Sequence, residues 1–209
     1  DWTKPQLASW KNVLLNYSIS PIQQYSYTTG KNSTDAALII DAMDILYSNN
    51  VDGFCIVSSD SDFTKLAARL REAGMYVIGM GEKKTPTPFI SACEKFKYLE
   101  VLASMAPKHT EVPSTKGTQA QEDLKGGMIS SVKLVEAIKT IITEISDEDG
   151  WAFLGELGST LNKRYPDFDT RNYGYTKLTP FVASLNIFEI RSTKTSNPSI
   201  SLKYIRNKE

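Results

Sequence analysis

The sequence predicts an α/β fold, a doubly wound and mostly parallel sheet, followed by a small body of three helices and a β-wing. Three observations carry this. Over roughly the first hundred residues, apolar runs without alternation, of which Phe54-Cys55-Ile56-Val57 is the clearest, alternate with segments of helical period. That order is the signature of parallel strands covered on both faces. Residues 106–127 then shift to Pro, Ser, Thr, Gln, Gly and charge with almost no apolar side chain, a linker composition. Beyond them, residues 132–145, 151–165 and 176–185 read as helices, and 187–191 and 199–205 as two strands joined by a polar turn at Asn197-Pro198. Three helices and a wing make a winged-helix body. The boundaries that follow are 1–105, a linker at 106–127, and 128–209.

Each element of the first body has its own signal. Residues 4–16 carry Leu7, Trp10, Val13, Leu14 and Leu15 at spacings near three and four, opened by Thr3 and Pro5, and predict a helix. Ile22, Tyr25 and Tyr27 suit a strand over 19–27, and a second helix runs over 33–48. The strand 54–57 is expected to be buried, and Phe63 to Leu70 follows at helical period. A strand over 75–80, a helix over 88–95 with prolines at its start, and a short strand over 98–102 complete the series. The series opens on a helix, so a central strand is missing from it.

Composition narrows the chemistry. Lys and Arg together number 24, as do Asp and Glu, so a nucleic-acid contact must come from local patches. The carboxy-terminal body supplies one candidate, since nine Lys or Arg face five Asp or Glu from Gly150 onward. Cys55 and Cys93 form no CxxC or Cys/His pattern, which argues against a disulfide framework or a zinc site and for a reducing cytoplasm. His109 is the one histidine and stands between prolines in the linker, which excludes histidine-based triads and the common zinc hydrolases. Carboxylate chemistry remains. No apolar run approaches the ~18 residues of a membrane span, because Asp41 and Asp44 interrupt the best one, so no membrane contact is expected.

The candidate site lies where the strand Phe54 to Val57 runs through Ser58-Ser59 into Asp60-Ser61-Asp62. Ligands of open α/β sheets bind at that carboxyl edge, and two clustered carboxylates there suit a hard cation. Helix capping is the bland alternative, but one cap needs one such residue and four are present. On the helix over 33–48, Asp35 falls in line with Leu38, Ile39, Ala42 and Leu46 on the face that must be buried, whereas Asp44 points away and Asp41 lies to the side. First-turn capping or dipole interaction is the alternative for Asp35. Lys31 precedes this helix in the loop Thr29-Gly30-Lys31-Asn32. Lys83 and Lys84 follow the strand over 75–80, where Gly79 and Gly81 would let backbone approach a phosphodiester, a solvated turn being the alternative.

Lys31 with Asp35, the run Ala37-Leu38-Ile39-Ile40-Asp41-Ala42, then Val57-Ser58-Ser59-Asp60-Ser61-Asp62-Phe63, and Val77-Ile78-Gly79 after Gly74 together resemble the NYN domain of the PIN-like ribonuclease superfamily, in its LabA-like branch. The resemblance spans about residues 1 to 103. Leu154-Gly155-Glu156-Leu157-Gly158, Pro166-Asp167-Phe168 and Tyr173-Gly174-Tyr175 resemble the OST-HTH or LOTUS domain, a winged helix associated with RNA binding or protein docking. The first resemblance implies metal-binding acids at Asp35, Asp60 and Asp62, with Asp41 matching a recurrent further acid and Ser58 and Ser59 in support. The reaction implied is RNA phosphodiester hydrolysis with carboxylate-held Mg²⁺ or Mn²⁺. Lys31, Lys83 and Lys84 would position the backbone, and Lys163, Arg164, Arg171 and Lys177 would recruit RNA or a protein partner; self-association stays open.

This sequence departs from the family in two places. The family opens on a strand ending in a further Asp closely followed by Asn, and no such segment precedes Asp1, so the slot beside the Asp60 strand is expected to stand open or to be filled from elsewhere. Glu94 stands where an Asp is expected. Two rival readings remain: a non-catalytic RNA-binding scaffold on a nuclease fold, and a haloacid-dehalogenase-like phosphatase built on Asp60-x-Asp62-x-Thr64. The second lacks a downstream lysine motif and an acidic pair after an apolar strand.

Overall fold

The computed structural model describes residues 5–25, 33–105, 131–194 and 201–208. The chain falls into two compact units, Asp1–Asp52 and Gly53–Glu209. In the first, the helix expected over 4–16 is a 3-10 turn, Pro5–Trp10, running into α1 (Lys11–Leu14). The strand expected over 19–27 does not form over 19–25, which is irregular; residues 26 and 27 lie outside the described residues. Pro21 offers no N–H to a ladder, and Ile22 and Tyr25 are exposed. Helix α2 (Ser33–Ser48) has the predicted bounds. It buries Ala42 and Leu46 and exposes Asp44 as the periodicity requires, but Leu38 is 41% exposed, so the apolar stripe is covered only toward its carboxyl half.

In the second unit, β1 (Gly53–Val57), β2 (Tyr76–Gly81) and β3 (Lys95–Tyr98) form a parallel sheet in the order β1-β2-β3. Ile56 pairs with Gly79, and Gly79 with Phe96. The crossovers are a 3-10 turn, Ser61–Phe63, with α3 (Thr64–Glu72), and then α4 (Thr87–Ala92). Phe63, Leu66, Leu70, Val77, Phe89, Phe96 and Tyr98 fill the space between helices and sheet. Gly79 serves this packing and not a ligand: a β-carbon there would sit 2.6 Å from a Phe96 ring carbon and 2.8 Å from the Cys93 sulfur. Glu94 has a structural task of its own. It accepts the Val77 N–H at 2.9 Å and pairs with Arg71 at 3.2 Å, which ties the start of β2 to α3.

Two expectations fail here. The strand Phe54 to Val57 is not buried on both faces, for only Ile56 is buried, Cys55 is exposed and Val57 is 62% exposed. Cys55 and Val57 share the parity opposite to Ile56, so it is one face of the strand that is left open; β1 is also an edge, for among the described residues no strand pairs on its outer flank. The last strand is not 98–102 but Lys95–Tyr98, followed by helix α5 (Leu99–Met105). Lys95-Phe96-Lys97-Tyr98 alternates at period two and buries Phe96 and Tyr98, which a half-covered edge strand requires.

The carboxy-terminal part of this unit holds α6 (Ser131–Ile145), β4 (Ala152–Phe153), α7 (Leu154–Arg164), a 3-10 turn at Thr170–Tyr173, α8 (Leu178–Ser184), β5 (Phe188–Lys194) and β6 (Ser201–Asn207). The strands pair antiparallel in the order β4-β6-β5. Leu134, Ile138, Ile141 and Ile142 on α6 meet Leu157 and Leu161 on α7, Phe181 and Val182 on α8, and Ile205 on β6 in one core. The winged helix is as the periodicity predicts, with the two-residue β4 added.

The sheet and the winged helix share a seam along β3. The Phe96 N–H donates to the Pro166 carbonyl at 2.8 Å, the Tyr98 hydroxyl donates to Asp167 at 2.9 Å, and Lys97 pairs with Asp169. Arg171 closes on the same Asp169 with Nε at 2.9 Å and Nη2 at 2.6 Å. Tyr98 is 1% and Asp167 5% exposed. Burial pushes the Asp167 carboxyl above its ordinary value, against the pull of the Tyr98 hydrogen bond. Burial would also raise Asp169, but the hydrogen bonds from Arg171 and Lys97 outweigh it and hold that carboxyl well below the usual range.

Two outcomes follow for the seam. Tyr98→Phe strands the buried Asp167 carboxylate and should cost about 1–3 kcal/mol in urea unfolding, whereas Asp167→Asn keeps an acceptor for the hydroxyl and should cost less. Because the Asp169 pKa is lowered below its unfolded value of about 3.9, its contribution is full above that pH and is lost as pH falls below it. Asp167 has the opposite sign, its contribution fading as pH rises through its raised value. Asp169→Asn should therefore flatten the acid limb of stability measured between about pH 2 and 5.

Candidate metal centre and flanking cations

Where β1 ends, the backbone is organised by its own short side chains. The Ser58 N–H donates to the Met80 carbonyl at 2.9 Å and extends the ladder one step; Ser58 Oγ then accepts the Asp60 N–H at 3.1 Å. Asp60, in extended conformation (φ −91°, ψ 134°), caps the 3-10 turn by accepting the Asp62 N–H at 3.0 Å. Buried Phe63 anchors that turn from below. Ser59 Oγ accepts the Glu82 N–H at 2.9 Å and so joins this loop to the one after β2, which buried Thr85 holds through a 2.5 Å bond to the Glu82 carbonyl. The capping role therefore exists, but one oxygen of Asp60 fills it. Asp60 and Asp62 both remain exposed at the carboxyl end of β1.

The other predicted residues divide by place. Asp35 is half-buried in the first turn of α2, in the unit Asp1–Asp52, and Asp41 is exposed on the same helix. Lys31 and His109 lie outside the described residues. Lys83 is exposed while its backbone N–H is held by Glu100 at 2.9 Å, and the Lys84 ammonium lies 2.5 Å from Glu82. Gly81 packs closely, since a β-carbon there would meet the Ser58 carbonyl at 2.5 Å. Lys163 and Arg164 end α7, with Arg164 paired to Glu144; Lys177 stands at the start of α8; Arg171 is engaged by Asp169.

Sequence pattern passes over two groups. Lys95 and Lys97 alternate with the buried aromatics of β3, a period-two signal hidden by placing the strand at 98–102. On the wing, Arg191 and Arg206 approach the Trp151 ring to 4.5 and 4.8 Å. No periodicity announces that stack, because its members are far apart in sequence.

The donor chemistry at the strand end is all oxygen. Of the two thiols, Cys93 is buried and its pKa is pushed up to about 12 by that burial, so it stays protonated; Cys55 is exposed, and the partial screening of its sulfur from water by neighbouring atoms raises it too. Among the described residues, exposed carboxylates without thiolate or imidazole beside them fit a divalent cation held through oxygen.

The NYN domain model matches residues 1–100, and the OST-HTH/LOTUS domain model matches residues 130–200. Two solved structures are similar. An uncharacterised protein of Nitrosomonas europaea is 27% identical, over 49% of this chain and 92% of that one, with a TM-score of 0.34. A protein of unknown function from Vibrio parahaemolyticus is 22% identical, over 46% of this chain and 62% of that one, with a TM-score of 0.37. No curated protein matches the sequence. With a three-stranded parallel sheet ahead of a winged helix, and each part matched by its own family model, the chain is an NYN domain joined to an OST-HTH/LOTUS domain.

Proposed function

We propose that this protein is a metal-dependent ribonuclease that recruits RNA through its winged helix. The two domains make it a nuclease-fold, RNA-associated protein. The observation that carries the finer reading is the pair Asp60 and Asp62, held exposed at the carboxyl end of β1 by Ser58 and by their own backbone. In this reading Asp35 and Asp60 with Asp62 hold Mg²⁺ or Mn²⁺, and Asp41 is a further acid for the same task. A cation held by these acids would supply activation of water and charge stabilisation at the scissile phosphate.

The protein's own residues supply the rest. Ser58 and Ser59 hold the acidic loop against the Gly81 to Thr85 loop, so that Lys83 and Lys84 flank the same sheet edge and position the phosphodiester backbone, with Lys31 in the same role. Lys163, Arg164, Arg171 and Lys177 serve RNA recruitment, and docking of a protein partner or a second copy on the winged helix is compatible with this. A cytoplasmic setting belongs to the proposal and is supported by two free cysteines. No helix among the described residues is long and apolar enough to cross a membrane. The NYN match over the Asp60-x-Asp62 segment weighs against the haloacid-dehalogenase reading.

Asp60→Asn and Asp62→Asn should each abolish Mn²⁺-dependent cleavage of RNA by the full chain. Asn caps a helix as well as Asp, so the Asp60→Asn protein should keep its unfolding midpoint, whereas Asp60→Ala should lose about 1 kcal/mol. Cleavage that survives both Asn substitutions would sink the metal centre. RNA binding by a wild-type protein that never cleaves under Mg²⁺ or Mn²⁺ would leave the scaffold reading in its place.

A further inference from the structure

Two cavities of about 260 and 610 Å³ lie side by side along the seam between β3 and the winged helix, and Lys95, Asn162 and Pro166 line both. Their charge is one-sided. The acids that line them are already matched: Asp169 by Lys97 and Arg171 in the smaller cavity, Glu94 by Arg71 in the larger. What stays unmatched is cationic. Lys95, Lys163 and Lys177 are exposed and make no ion pair among the described residues, and Arg164 meets Glu144 at the surface. These cations come from three elements, the edge strand β3, the end of α7 and the start of α8. They form a run with Lys95 between Lys163 and Lys177, not a point.

We infer that this crevice is the track for a phosphodiester backbone, carrying a single RNA strand across the seam from the winged helix onto the sheet. A run of unpaired cations over two adjoining cavities matches a ligand with charges at regular intervals and exceeds what a single phosphate needs. The inference rests on the RNA-associated reading above and adds to it a composite site, in which Lys95 of the NYN sheet and Lys163 of the winged helix hold one strand. The track is preformed, because the Phe96–Pro166 and Tyr98–Asp167 bonds fix one wall against the other. Its free cations are ammonium groups, which hold phosphate and carry no base readout of their own.

The test is binding, not cleavage. Full-length Asp60→Asn protein, in chelator and without divalent metal, is titrated with a fluorescent single-stranded RNA over a range of salt concentrations. Adding Lys95→Gln and Lys163→Gln should weaken binding about tenfold near 0.15 M salt and make the salt slope shallower by about 1.4, roughly 0.7 for each ammonium removed. The Lys95→Arg/Lys163→Arg protein should bind like its parent, and Lys139→Gln/Lys208→Gln, which line neither cavity, should do the same. Unchanged affinity and slope in the Gln pair would overturn the track. So would a polyglutamate chain that competes as well as RNA and loses the same tenfold, since the crevice would then be an acidic-peptide site. Full cleavage by a wild-type background carrying the Gln pair at unchanged affinity overturns the track alone, whereas a wild-type protein that never cleaves and yet shows the tenfold loss with the Gln pair supports the track and sinks the nuclease reading alone.

Discussion

Parallel strands cannot be joined by a hairpin, and that constraint organises this molecule. Each strand must return over a helix to the same starting edge, so the loops that leave β1 and β2 emerge together at the other edge. The acids after β1 and the lysines after β2 are about twenty residues apart in sequence and neighbours in space for this reason alone. Ser59 makes the neighbourhood rigid by accepting the Glu82 N–H, and Ser58 does the same within its own loop. Two hydroxyls thus convert a topological accident into a defined surface, with negative charge on one side and positive charge on the other. The glycines of β2 take part by absence: Gly79 admits Phe96 and Cys93, and Gly81 admits the Ser58 carbonyl, so the sheet closes up beneath the loops.

Much of this is legible in the residues, and what is not has identifiable causes. The bounds of α2, the strand before Asp60 and the helices of the winged body follow from periodicity, which is strong wherever one face of an element is buried along its length. The placement of Asp60 and Asp62 at a strand end needs only the switch from an apolar run to helical period. Burial of β1 is overstated by its sequence, because an unalternating apolar run means two covered faces only if a layer packs on each face of the sheet. A strand's rank in its sheet is not written in its residues. The position of β3 is blurred because Tyr98 closes the strand as Leu99 opens a helix, and both are apolar. Pro21 is the available warning that residues 19–25 do not join a ladder.

The seam belongs to a third kind of information, which local pattern does not carry. Tyr98 and Asp167 read as an ordinary aromatic and an ordinary loop acid, yet each is buried because of the other. A polar pair of this sort contributes little net free energy compared with apolar packing, since its hydrogen bond mainly offsets the cost of taking both groups out of water. Its effect is selective: a docking that buries Asp167 without the Tyr98 hydroxyl beside it leaves a carboxylate dry and unpaired. Asp169, shared between Lys97 and Arg171, imposes the same condition on a second charge.

Alternation along β3 thereby acquires a meaning beyond its own sheet. Phe96 and Tyr98 share one parity, and Lys95 and Lys97 the other; the even residues fill the core and reach Pro166 and Asp167, while the odd ones line the crevice. A register slip of one residue would exchange the two sets, turning ammonium groups inward and aromatic rings out. Four residues of edge strand are therefore a compass for the winged helix, translating the handedness of a pleat into the bearing of a whole domain.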